Sequence, residues 1–280
     1  MRFSANISTL WRESPFMERL QRARAAGFEA VEFWWPRGED LQQLAARVRE
    51  LGLWVVLFNF DAGDMPAGDR GLLSDPARHQ GFREHVPVAL ELARALGCRR
   101  LNALVGLRIE SLPLEEQLEL ARQNVAWAAD QAAPHGIEVL IEPVNTHENG
   151  PYLLPTVEEA VAFIRAVGRG NVRLQYDLYH AQVMLGERPR EAELLELFDA
   201  HRELISHVQI ADWPGRGQPG SGSLDFQQIL SALEERGYAG YVGLEYIPRG
   251  VGTDESLRWL PREARAGDAR PSQILLAEGR

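Results

Sequence analysis

Short apolar runs alternate with longer amphipathic stretches along the whole chain. The runs near 3–6, 30–33, 54–59, 100–105, 138–142, 173–177, 206–211 and 241–246 have the length and apolar density of strands buried on both faces. Between them, segments such as "PFMERLQRARAAG", "DLQQLAARVRELG", "TVEEAVAFIRAVG" and "DFQQILSALEERG" repeat their apolar positions at helical spacing. Most end in Gly, the usual C-terminal stop, and several open with Pro, Asp or Thr. Eight strands alternating with helices, about 34 residues apart on average, predict a single α/β domain over residues 1–262, a (β/α)8 TIM barrel. An open doubly wound sheet is the poorer fit, because no GxGxxG phosphate turn follows the first strands. Two stretches break the regular beat. The Gly- and Asp-rich loop 60–76, "FDAGDMPAGDRGLLSDP", is too long for a simple connection and reads as an inserted lid. The tail 263–280 is weakly patterned, and its "ILLA" is a candidate for an interface in a homo-oligomer.

Composition narrows the function classes. At 280 residues, with 45% hydrophobic and 25% charged positions, the chain has the make-up of an ordinary globular protein. No apolar run approaches the roughly 18 residues needed to span a bilayer, and "MRFSANISTLWRES" lacks a signal-peptide core. The expectation is a cytoplasmic protein with no membrane partner. A net charge of −10 argues against a nucleic-acid partner, which needs clustered cations to displace counterions. All 30 basic residues are Arg. Without lysine there is neither a Schiff base nor a P-loop cation. Cys98 is the single cysteine, which excludes an intrachain disulfide and a cysteine-rich zinc site; it reads as a buried structural thiol.

The chemistry gathers at strand ends. The fifth predicted strand ends "VLIEP" at Glu142 and the sixth ends "LQYD" at Asp177. The seventh carries Gln209 in "HVQIAD", and the eighth ends "VGLEY" at Glu245. Side chains alternate along a strand, so Leu140 with Glu142, Gln175 with Asp177, His207 with Gln209, and Gly243 with Glu245 share a face. If the last member of each pair faces the barrel axis, three carboxylates and an amide meet at the mouth, where barrel enzymes keep their active sites. Three ionised carboxylates need a counter-charge, and oxygen ligands favour Mg²⁺ or Mn²⁺. Each residue alone has a plainer explanation: Asp177 as a helix cap, Gln209 as polar filling, Glu142 as an Arg partner. Four of them at the ends of four consecutive strands favour the metal.

At these residues the chain resembles the hydroxypyruvate isomerase family, within the xylose isomerase-like TIM-barrel superfamily that also holds the ketose 3-epimerases. The resemblance runs over nearly the whole chain and is carried by "AGFEAVEFWWP", "GDMPAGDRGL", "IEPVNTHE", "QYDLYHAQ", "HVQIADWPGRGQPGSG" and "GYVGLEY". It implies a xylose isomerase-like fold and an isomerase of hydroxypyruvate and tartronate semialdehyde. It further implies Glu142, Asp177, Gln209 and Glu245 as metal ligands, with Glu142 and Glu245 doubling as the catalytic acid/base pair, and His180 and Glu148 as substrate-contacting residues. The epimerases match at Glu142, Asp177 and Glu245 but use His where Gln209 stands.

Such a reaction moves a proton between adjacent carbons through an enediolate, which a metal stabilises as a Lewis acid. The substrate is a small hydroxy-keto acid, and its carboxylate needs a cation. Arg216, in "WPGRGQPGSG", is the first candidate and Arg70, in the long loop, the second. Trp34, Trp35 and Phe58 are candidate pocket walls, whereas His79, His85, His135 and His201 read as surface residues. Three rivals remain: a sugar or sugar-acid isomerase or epimerase such as a 2-oxo-tetronate isomerase, an apurinic endonuclease sharing the barrel, and a non-catalytic barrel. The acidic balance and seven scattered histidines disfavour the second, and the paired glutamates disfavour the third.

Overall fold

The computed structural model describes residues 1–271 and 274. Eight parallel strands close into a barrel in the order β1 to β8, with β8 paired back onto β1. They are β1 Arg2–Asn6, β2 Ala30–Phe33, β3 Trp54–Asn59, β4 Arg100–Asn102, β5 Glu138–Ile141, β6 Val172–Asp177, β7 Ile205–Ile210 and β8 Tyr241–Leu244. The expected barrel is therefore found. Its fourth strand is three residues shorter than the apolar run implied: after Asn102 the chain leaves the sheet, and Val105 instead bridges antiparallel to Gly71 of the long loop.

The helices form where caps and stops frame an apolar stripe. Asp40 accepts from the backbone N–H groups of Gln42 and Gln43 to open Leu41–Leu51, which stops at Gly52 in the left-handed region (φ 63°). Thr156 and Glu159 form a reciprocal capping box on Val157–Val167. The outward faces of the strands and the inward faces of the helices make one continuous core. A second, separate apolar cluster of Ala30, Val56, Leu57 and Leu140, with Tyr241 alongside, fills the barrel interior below the strand ends. Above it lies a fully buried polar layer of Ser4, Glu32, Gln175 and His207.

Loops after the strands build the mouth. The loop 60–76 is tied at both shoulders: Gly71 N–H donates to Ala62 O (2.9 Å), Ser74 N–H to Val105 O (3.2 Å), and Asn124 Nδ2 to Leu73 O (2.7 Å). Asp69, near its tip, pairs with Arg78. At the opposite end of the barrel, Met1 and Ala269 exchange hydrogen bonds. The first part of the 263–280 tail is thereby folded onto the barrel, while most of "ILLA" lies outside the described residues.

Candidate functional site

The strand ends bring the carboxylates together. Glu142 follows β5, Asp177 closes β6, Gln209 lies in β7 opposite Asp177 and Gly243 in the sheet register, and Glu245 follows β8. All four are buried, as is His180. One ligand atom each of Glu142, Asp177 and His180 lies within 4.8 Å of the others, a spacing that suits a cation.

Asp177 does two things at once. Its Oδ1 accepts from the backbone N–H groups of Tyr179 (2.7 Å) and His180 (3.3 Å), capping the helix Leu178–Leu185. Its Oδ2 is buried and makes no hydrogen bond; it faces Arg216 Nη2 at 3.6 Å and His180 Nε2 at 3.8 Å. Cap and cation-facing group are thus the same carboxylate, one oxygen for each.

The two glutamates are held unequally. Glu142 Oε2 accepts from Asn102 Nδ2 (2.6 Å), and its Oε1 lies 3.8 Å from His180 Nε2. Glu245 Oε1 accepts from Arg216 Nη2 (2.8 Å) and Trp34 Nε1 (3.3 Å), while its Oε2 accepts from Asn6 Nδ2 (2.9 Å) and from Gln209 Nε2. Burial, then the charges of Glu245 and Asp177, push the Glu142 carboxyl well above the usual range. Burial raises Glu245 to about 7, with Arg216 opposing and Asp177 and Glu32 adding to the rise. Burial also raises Asp177, against Arg216 and its two capping N–H groups.

His180 is locked as a neutral donor. Asn145 Oδ1 accepts from the Glu148 N–H, so its NH2 group must face outward and donate to His180 Nδ1 at 2.7 Å. The His180 proton then sits on Nε2, which points at Glu142 and Asp177. Burial, with Arg216 and Arg70 nearby, holds its pKa well below the ordinary value.

Arg216 reaches the carboxylates because its loop is shaped for it. Asp212, fully buried, accepts from the N–H groups of Gly220, Gly222 and Leu224, folding the segment after β7 back on itself. Arg216 adopts a left-handed backbone (φ 56°), uncommon for a side-chain-bearing residue, and its guanidinium stacks 5.5 Å from the Tyr179 ring. Arg70 lies farther out, half-buried, hydrogen-bonded to Asn149 Oδ1 and to carbonyls of its own loop. Glu148 is at the rim, bonded to Tyr179 Oη (2.6 Å). Gln209 is at the floor: its Oε1 accepts from Gln175 Nε2 (2.6 Å), and its NH2 faces the carboxylates.

Trp34 does line the site, whereas Trp35 and Phe58 pack on each other behind it. His85 is half-buried rather than free in solvent. Its Nε2 accepts from Asp61 N–H, its ring meets Trp35 edge-on, and burial lowers its pKa to about 4. Asn6, Glu32, Asn102 and Asn145 were not anticipated as site residues. Reading the polar ends of β1 to β4 as closely as those of β5 to β8 would have flagged the first three.

The family model for the xylose isomerase-like TIM barrel matches residues 20–263. The chain belongs to this family. It is 36% identical over 260 residues to the hydroxypyruvate isomerase of Escherichia coli (strain K12), covering 93% of this chain and 98% of that protein. It is likewise 36% identical over 261 residues to the 2-oxo-tetronate isomerase of Haemophilus influenzae, with 93% and 98% covered. A crystal structure titled AP endonuclease, family 2, from Brucella melitensis superposes with a TM-score of 0.85 at 43% identity, covering 92% of this chain and 97% of that one. The protein is accordingly an isomerase of the xylose isomerase-like family. No described helix is long and apolar enough to cross a membrane.

Proposed function

We propose that this isomerase interconverts hydroxypyruvate and tartronate semialdehyde (2-hydroxy-3-oxopropanoate) by moving a proton between adjacent carbons. The observation that carries the reading is the pair of buried glutamates, Glu142 and Glu245, three strands apart around one mouth, with the Arg216 cation beside them. The kinship with hydroxypyruvate isomerases supports the substrate, and that with 2-oxo-tetronate isomerases supports a one-carbon-longer alternative.

The donor set fits a divalent metal, Mg²⁺ or Mn²⁺ by its oxygen chemistry. Asp177 Oδ2 is buried without a hydrogen bond, and the carboxyls of Glu142, Asp177 and Glu245 are all pushed toward neutrality, the condition a cation relieves. Glu142, Asp177 and Glu245 would hold it; Gln209, expected as a fourth ligand, instead turns its NH2 to the carboxylates and its oxygen to Gln175, so it presents no ligand atom to a cation. Such a metal supplies Lewis-acid polarisation of the substrate carbonyl. His180, with its proton on Nε2, is better suited to donate to a substrate oxygen than to ligate.

The unequal setting of the glutamates supports a division of roles between them. Four donors on Glu245 favour its ionised form, so it is the base that takes a proton from the hydroxyl-bearing carbon. Glu142, with one donor against the four on Glu245, carries the proton given to the neighbouring carbon. Arg216 is the first partner for the substrate carboxylate and Arg70 the second; Glu148, bonded to Tyr179 at the rim, contacts the substrate's far end.

The test is turnover of hydroxypyruvate, 2-oxo-tetronate and free ketohexoses in D₂O, after chelation and after metal add-back. The expected result is metal-dependent turnover of a keto acid, with deuterium on the receiving carbon and ketohexoses untouched. Glu142→Gln and Glu245→Gln should each lose on the order of 10³-fold in rate, and the double variant scarcely more. Full activity in metal-free protein, or product without carbon-bound deuterium, overturns the mechanism.

A further inference from the structure

Beneath the mouth sits a carboxylate that the reaction above does not use. Glu32, in the apolar strand β2, is 0% exposed. A buried charge persists only when paired and hydrogen-bonded. Here each oxygen has two donors: Oε2 takes Ser4 Oγ (2.7 Å) and His207 Nε2 (2.8 Å), and Oε1 takes Gln209 Nε2 (2.7 Å) and Asn6 Nδ2 (3.4 Å). The fold makes room for it, since a Cβ on Gly243, opposite Gln209 in β8, would stand 2.4 Å from Glu32 Oε1.

We propose that Glu32 is a positioning residue for Glu245, fixing the amides of Gln209 and Asn6 so that their N–H groups point at the Glu245 carboxylate. An ionised carboxylate only accepts hydrogen bonds, so the ends of Gln209 and Asn6 that face Glu32 must be NH2 groups. Those same NH2 groups lie on Glu245 Oε2. Their far ends agree: Gln209 Oε1 accepts from Gln175 and Asn6 Oδ1 from the Ser8 N–H. With Oε2 anchored, Glu245 turns Oε1 toward Arg216 and Trp34 at the mouth. A well-packed apolar residue would stabilise the barrel as well as this hydrogen-bonded carboxylate does. What an apolar residue cannot do is choose the direction of two amides.

The inference rests on Glu245 being the base of the proposed reaction, and the test separates the two. Glu32→Gln keeps the volume but presents either end of an amide, so Gln209 and Asn6 lose their fixed direction. In chelated protein, the side-chain NH2 signals of Gln209 and Asn6 in ¹H–¹⁵N NMR should be slowly exchanging in the wild type and lose that protection in Glu32→Gln. With the keto acid that is turned over, kcat should fall about 10- to 100-fold while KM stays within about threefold. In an Asn6→Ala/Gln209→Ala background the same change should alter kcat by less than about twofold, because Glu32 then has nothing left to orient. Unchanged NH2 protection, or an equal loss of kcat in both backgrounds, overturns the proposal. Should Glu32→Gln fail to fold, Ser4→Ala removes one anchor of Oε2. It should weaken NH2 protection and lower kcat by about fivefold or less in the wild type alone; no change in either would overturn the proposal. If the wild type turns over neither keto acid, the functional reading falls while the NMR comparison still decides the positioning.

Discussion

At the scale of single residues, the site is governed by how charge is divided between few atoms. Asp177 serves the helix with one oxygen and the mouth with the other, so a neutral Asn would retain the cap through its carbonyl and lose only the charge. Arg216 is the group most exposed to test. It stands 2.8 Å from Glu245 and 3.6 Å from Asp177, and its planar fork matches a carboxylate's two oxygens. Arg216→Met should raise KM for a keto acid by about 10- to 100-fold, the weight of a charge-assisted hydrogen-bond pair. Arg216→Lys should recover little of this, because a point charge on a flexible stem does not reproduce the fork. Steady-state kinetics on the two variants check it; an unchanged KM in Arg216→Met would assign the substrate carboxylate to another cation.

At the scale of elements, the long loop and the glycines that shape it come forward. Its shoulders are bound through the backbone to β4's continuation and to the helix Leu114–Ala132, whereas the tip around 64–70 is held through the side chains of Asp69, on Arg78, and Arg70, on Asn149. Protease cleavage should fall within that tip and slow on adding a saturating keto acid. Cleavage at the shoulders, or equal cleavage with and without ligand, would count against a closing lid. Gly71 sets one shoulder. Its φ of 118° is closed to side-chain-bearing residues, and a Cβ there would lie 2.0 Å from the Leu104 carbonyl oxygen. Gly71→Ala should destabilise the protein by about 2–3 kcal/mol, seen as a lower Tm with unchanged far-UV circular dichroism.

At the scale of the whole molecule, the buried carboxylates make stability depend on pH. Folding raises the Glu245 carboxyl from 4.5 to about 7, so its share of stability is fully present below pH 4.5 and lost as pH rises through 7. That share is about 3 kcal/mol. In chelated protein, Glu245→Gln should gain stability on the wild type by about this amount between pH 4.5 and 7.5, measured by urea unfolding. A constant difference across that range would mean that Glu245 is not proton-linked to folding. The sequence alone determined the barrel, because strands buried on both faces and capped helices leave a periodic trace in the order of residues. It also determined that Glu142, Asp177, Gln209 and Glu245 belong together, since the end of a parallel strand is where a barrel exposes polar groups. Only the tertiary structure decided what each one touches. Glu32 and Asn6 are remote in the chain from Glu245, yet strand pairing and the missing Cβ of Gly243 bring them into one hydrogen-bonded unit. The tautomer of His180 depends on Asn145, itself fixed by a turn after β5. Hydrophobic periodicity is written locally, residue by residue, whereas the direction of a hydrogen bond or the proton affinity of a buried carboxyl is set by every group folding brings within a few ångströms.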